Sequence, residues 1–159
     1  MKQLFLMLAC LGASTSVLAE IGPPPTIAAR AKGAGRVVVA KVLDVQSKFA
    51  TNQFGDQLIV SDLVLEVAET LKGPAAATVN ITVEGGTVGD LTLKVSDLPS
   101  FKPGDSGLFF LDAAPGGRLV PHDRGRGLLK VTPAGLIEGS SVTLDFVKKE
   151  VVAALGKGL

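Results

Sequence analysis

The chain has 159 residues, 47% of them hydrophobic, with 19 glycines, 9 prolines, no Trp and no Tyr. This suits one turn-rich β domain whose core is built from Val, Leu, Ile, Ala and Phe. A formal charge of +1 gives no electrostatic footprint for nucleic acid or an anionic membrane surface, and single-strand binding would also lack its aromatic stacking platforms.

Residues 1–19 read as a cleaved signal peptide. Met1-Lys2 is the positive start, Leu4–Leu11 the apolar stretch, and Val17-Leu18-Ala19 the small-residue site, with the cut expected between Ala19 and Glu20. Leu4–Leu11 is far shorter than the roughly 20 apolar residues that span a bilayer, so no membrane span is expected after cleavage. Met7-Leu8-Ala9-Cys10 loosely resembles a lipobox, but Cys10 lies too near the start for a lipoprotein leader. Cys10 is the sole cysteine, so the exported chain is expected to have neither disulfides nor thiol chemistry. Its expected location is secreted or periplasmic.

Residues 20–35 hold Pro23-Pro24-Pro25 and an Ala/Gly-rich run, expected as an extended arm with little to bury. Arg36–Val45 is dense in Val and reads as the first core strand. Its alternation slips near Lys41, where a β-bulge would absorb a charge on the core side. Gln46–Gln57 reads as a polar connection, with Phe54-Gly55-Asp56 as a hairpin end.

Leu58–Gly73 is the organising stretch. Ile59, Leu63, Leu65, Val67 and Leu71 fall on one side and Asp62, Glu66 and Thr70 on the other, the alternation of a long half-buried strand. Val79, Ile81 and Val83 repeat the pattern until Gly85-Gly86 breaks it. Leu91–Val95 is expected as a strand with Leu91, Leu93 and Val95 inward. Leu108–Leu111 is a short continuous apolar run, expected to be buried on both faces. Arg118–Val120 and Leu128–Val131 are expected to form a hairpin around Pro121–Gly127. From Leu144 the period changes: Leu144, Val147, Val151 and Leu155 step by three and four, with Thr143 as N-cap and Gly156 as C′ residue of a helix.

The resulting expectation is a mainly β fold, a small five- to six-stranded OB-like barrel over residues 36–140. One C-terminal helix over residues 141–156 packs on or beside it.

Chemistry-bearing residues are few. His122 is the single histidine, and no G-x-S-x-G elbow supplies a nucleophile beside it. No catalytic residue, cofactor or metal site is expected, because zinc wants three or four Cys/His/Glu ligands and calcium its D-x-[DN]-x-[DN]-G loop. Local positive charge gathers only in Pro121–Gly127. There His122, Arg124 and Arg126, with the amides of Gly125 and Gly127, form a candidate anion- or partner-binding loop; Asp123 opposes that reading.

Val37-Val38-Val39-Ala40-Lys41-Val42, Leu65–Gly73, Val79–Val83 with Glu84-Gly85-Gly86, and Phe101–Asp105 leading into Leu108–Leu111 together resemble small bacterial secreted proteins. More remotely, a strand ending in Leu71-Lys72-Gly73 resembles the netrin-like modules of tissue metalloproteinase inhibitors. The resemblance implies an OB-like barrel and a non-enzymatic role. It transfers no functional residue, since those inhibitors chelate zinc through an N-terminal cysteine and this chain, once cleaved, offers none.

The function expected from the residues is an exported binding module for another extracytoplasmic protein or an envelope polymer. Phe54, the Gly85–Asp90 loop and Pro121–Gly127 would rim its contact face. The alternatives are a small hydrolase with His122 as base, and a purely structural domain without ligand.

Overall fold

A computed structural model describes residues 25–52 and 54–156; the expected leader over residues 1–19, Cys10 and the first two prolines of the triplet lie outside them. The elements run α1 (Ile27–Gly33), β1 (Arg36–Thr51), β2 (Gln57–Lys72), β3 (Thr78–Glu84), β4 (Gly86–Val88), β5 (Leu91–Leu93), β6 (Ser106–Ala113), β7 (Leu119–Pro121), β8 (Leu128–Val131) and α2 (Leu144–Ala154).

β2 carries the organising pattern. Ile59, Leu63, Leu65 and Leu71 are buried, while Glu66 is exposed on the other side. It pairs antiparallel with β1 along its whole length, from Val37 opposite Lys72 to Thr51 opposite Gln57. The expected polar connection over Gln46–Gln57 is therefore mostly strand, and the turn is shorter. Asn52 makes that turn locally: its Oδ1 accepts from the amides of Phe54 and Asp56, both at 2.9 Å.

The slip foreseen near Lys41 is real. The β1–β2 register shifts between Val39 and Ala40 and again between Val42 and Asp44, leaving Lys41 exposed. Each bulge sharpens local twist, which lets a strand of 16 residues wrap from one neighbour to the next. β1 pairs with β6 over Arg36–Lys41 as well as with β2.

Following the pairings closes a ring, β1-β2-β3-β7-β6 and back to β1. The β3–β7 contact, Ile81 opposite Leu119, is its one parallel pair. This is a small barrel-like fold, mainly β, with helices outside it.

The expected hairpin around Pro121–Gly127 does not form. β7 and β8 both pair with β6 and on the same edge of it: Leu111 faces Pro121, the His122 amide donates to the Phe110 carbonyl at 2.8 Å, and Phe109 faces Leu128. They are one strand, interrupted by a bulged-out excursion over residues 123–127. Two adjacent apolar runs with a turn between them read as a hairpin in sequence; only β6 between the barrel walls determines that both lie along it.

β6 explains its own unbroken apolar run. Phe109 and Leu111 point into the barrel with Val38, Val42, Leu65 and Ile81. Leu108 and Phe110 point out into a second core, with Ala31, Ala34, Val147 and Val151 of the helical layer. All four β6 residues are fully buried.

That second core overturns the expected arm. Residues 27–33 are helical, and Ala31 and Ala34 are fully buried. Seven residues are too few for a helix to stand alone in water; this one is held at both ends. Thr26 Oγ1 accepts from the Ala29 amide at 3.1 Å. At the other end Lys72 Nζ donates to the carbonyls of Ala31 and Lys32 at 3.0 and 2.8 Å. α2 forms as the three- and four-step pattern predicts, with the Phe146 amide donating to Thr143 Oγ1 at 3.2 Å and Val147 and Val151 buried.

Leu91–Val95 also departs from expectation. β4 and β5 form a separate two-stranded hairpin, and Leu91 is 61% exposed rather than inward. Gly85 and Gly86, at φ 98° and 134°, swing the chain out of the ring, a turn that residues with a Cβ rarely make. β5 then pairs with β4, its nearest partner, instead of entering the barrel.

Candidate functional site

The excursion over residues 123–127 leaves the strand because Asp123 and Arg124 take left-handed backbone, φ 51° and 54°. Gly125 and Gly127 follow in close contact with their surroundings. A Cβ on Gly125 would stand 1.4 Å from the Asp97 carbonyl oxygen, and one on Gly127 would stand 2.2 Å from that of His122. Both glycines are buried and serve packing.

The charges of this loop are matched from within. Arg124 Nη2 lies 3.0 Å from Glu84 Oε2 and its Nε 3.2 Å from Asp97 Oδ2. Arg126 Nη1 lies 3.5 Å from Asp123 Oδ2. His122 Nδ1 lies 2.7 Å from Asp112 Oδ2, and Asp112 Oδ1 accepts from the Gly35 amide at 3.0 Å. Burial pushes the Asp112 carboxyl up, but the His122 and Gly35 hydrogen bonds and the nearby Lys72 outweigh it and hold the group below the ordinary aspartate value. The candidate residues His122, Arg124, Gly125, Arg126 and Gly127 thus do not converge on one open cradle. The His122 imidazole joins β7 to the α1–β1 junction, and Arg124 ties the end of β3 to the segment after β5.

That tie braces a cleft. The β4–β5 hairpin and residues 94–101 stand over the end of the barrel and enclose about 570 Å³. Val45, Leu63, Val83, Val95, Leu98 and Phe101 supply apolar lining, and Ser47, Ser61, Lys94, Ser96 and Ser100 supply polar groups. Phe101 is held from beneath by Phe109, ring centroids 5.3 Å apart. The hairpin is pinned at its root. Ser47 and Ser61 hydroxyls lie 2.9 Å apart, and Ser61 Oγ donates to the Gly85 carbonyl at 2.7 Å. A Cβ on Gly86 would fall 2.3 Å from both hydroxyls, so a glycine is needed there.

Of the face expected from sequence, the Gly85–Asp90 loop lines this cleft through Gly85, Gly86 and Thr87, and the Pro121–Gly127 stretch buttresses it through Arg124. Phe54 stands at the tip of the β1–β2 hairpin, 78% exposed. The Ser47–Ser61 pair was missed because Gln46–Gln57 read as a connection; a hairpin centred on Phe54 would have set 47 opposite 61. The lining from residues 94–101 had no such signal, because loop residues have no period to read.

A smaller hollow of about 360 Å³ lies along β1, β2 and β3, with Asp44, Gln46, Asp62, Asn80, Thr82 and Arg118 around it. Its acids are engaged: Asp62 pairs with Lys48 and accepts from Thr82 Oγ1 at 2.7 Å, and Asp44 accepts from Gln46. Among the described residues no three His, Cys, Asp or Glu side chains gather as metal ligands, and no helix is long and apolar enough to cross a membrane.

No protein-family model matches the chain, and no curated protein matches it significantly.

Proposed function

We propose that this chain is an exported, non-enzymatic binding module of the bacterial envelope or extracellular space, with the barrel-mouth cleft as its ligand site. The observation that carries the reading is the cleft itself. An apolar lining with a few placed polar groups, about 570 Å³ in volume, fits the range of about 300–1,000 Å³ in which small molecules are held, often at barrel mouths. Export rests on the leader pattern of residues 1–19.

The geometry around His122 weighs against the hydrolase alternative. Nδ1 pairs with Asp112, as a catalytic imidazole would, but Nε2 lies against Gly33 and His122 is not among the residues that line the cleft. A base needs a free nitrogen within reach of a substrate proton.

The test is an envelope extract passed over immobilised protein and over a Ser96→Trp variant, whose indole occludes the cleft. A component retained by the first and lost on the second supports the reading. Equal retention on both, or a turnover that vanishes in His122→Ala, sinks it.

A further inference from the structure

We infer that the barrel-mouth cleft takes a free fatty acid, its chain against the apolar lining and its carboxylate toward Lys94. This rests on the binding-module reading and names the ligand of its cleft as a small amphiphile.

The lining argues for the chain. Leu63 belongs to the barrel core, and Val45, Val83, Leu98 and Phe101 pack against that core. An occupant of the cleft therefore extends the dry interior of the barrel, and aliphatic side chains with a single aromatic ring suit an unbranched hydrocarbon better than a planar, polar or bulky ring system. Burial is non-directional and grows with the apolar area removed from water, so chain length sets the affinity.

Charge argues for the head. Two charged residues line the cleft, Glu84 and Lys94. Glu84 is held by Arg124 at 3.0 Å. Lys94 is exposed and, among the described residues, no ion pair or hydrogen bond engages it. The charge left for a ligand is thus positive, on the rim of an apolar hollow. Ser96 and Ser100 beside it can donate to the same carboxylate.

The test is a calorimetric titration of the purified protein with octanoate, decanoate and dodecanoate below micelle formation, alongside 1-decanol and decylamine. Each added methylene should tighten binding about fourfold until the cleft is full. Lys94→Gln should weaken decanoate about tenfold and leave 1-decanol unchanged, and Ser96→Trp should abolish both at an unaltered melting temperature. Affinity indifferent to chain length, decylamine bound as tightly as decanoate, or no effect of Lys94→Gln would overturn the assignment. So would co-sedimentation with phosphatidylglycerol vesicles in the absence of decanoate binding, which would make a bilayer the target. If an envelope component is captured by the cleft while decanoate fails to bind, the fatty-acid assignment falls and the binding-module reading stands; failure of both removes both.

Discussion

At the scale of single residues, backbone proximity separates glycines that look alike in sequence. Gly125 has the Asp97 carbonyl where a Cβ would go, whereas Gly89, at φ +57°, has open space around it. Gly125→Ala must move the 94–101 segment and should cost more than about 2 kcal/mol, while Gly89→Ala meets only the left-handed backbone penalty of about 1 kcal/mol. Urea denaturation of the two variants measures the difference, and equal midpoints would refute it. Three aspartates make a second residue-level prediction. Burial raises the carboxyls of Asp62, Asp105 and Asp112. Hydrogen bonds and nearby cations outweigh it in each: Lys48 and Thr82 for Asp62, Lys130 and the Lys102 amide for Asp105, His122 and the Gly35 amide for Asp112. All three therefore lie below the ordinary 3.8. A group depressed in the folded state is protonated first in the unfolded chain. Its contribution is whole above the unfolded pKa and is lost as pH falls through the folded one. Stability should hold level above about pH 5 and decline below about pH 4. The double variant Asp105→Asn/Asp112→Asn should show a shallower acid limb in pH-dependent thermal melts; an unchanged slope would rule these carboxylates out as its cause.

At the scale of elements, Leu71-Lys72-Gly73 acquires a structural reason. Lys72 closes the carbonyl end of α1, and Gly73, at φ +87°, turns the chain where a Cβ would stand 3.2 Å from the Gly35 carbonyl. The motif joins the end of β2 to the start of the fold. Lys72→Met should cost about 1–2 kcal/mol, the worth of hydrogen bonds from a partly exposed charge, and the cost should be local. Hydrogen exchange at the amides of Arg30 and Ala34, which donate to the Thr26 and Arg30 carbonyls along this helix, should accelerate before any barrel amide does. Uniform acceleration would show that Lys72 supports the barrel instead. The same helix marks the limit of what could be read in advance. β2, β3 and α2 were legible because their apolar residues keep a period of two or of three to four, set by burial on one face. α1 has one buried alanine, Ala31, another in the C-cap Ala34, and an N-cap, too little periodicity to distinguish it from an arm, and it exists because Lys72 and the second core hold it. β5 alternates like a core strand, yet Gly85-Gly86 diverts it, and Leu91 meets solvent.

At the scale of the whole molecule, two dry layers lie on opposite sides of the sheet, and β6 tells them apart residue by residue. The continuous run Leu108–Leu111 was readable as a strand buried on both faces; what covered each face was not, because the outer cover comes from the chain's two distant helical ends. The cleft follows from the same architecture: the barrel is plugged by Phe109 from β6 and Phe101 from the loop, and the β4–β5 hairpin roofs the space above. Phe109→Ala and Phe110→Ala remove the same side chain from sites of equal burial, and each should cost about 3–5 kcal/mol, a large share of the roughly 5–15 kcal/mol that holds a domain. They should fail differently. Phe109 sits among residues from β1, β2, β3 and β8, so its loss loosens the ring itself and should let the whole chain unfold in one step at a lower midpoint. Phe110 sits against Ala31, Val147 and Val151, so its loss should free the helical layer first. Circular dichroism should then report helix melting before the barrel amides open to exchange. Coincident transitions in Phe110→Ala would mean that the two cores form a single cooperative unit, with the helices as necessary to the barrel as its own strands.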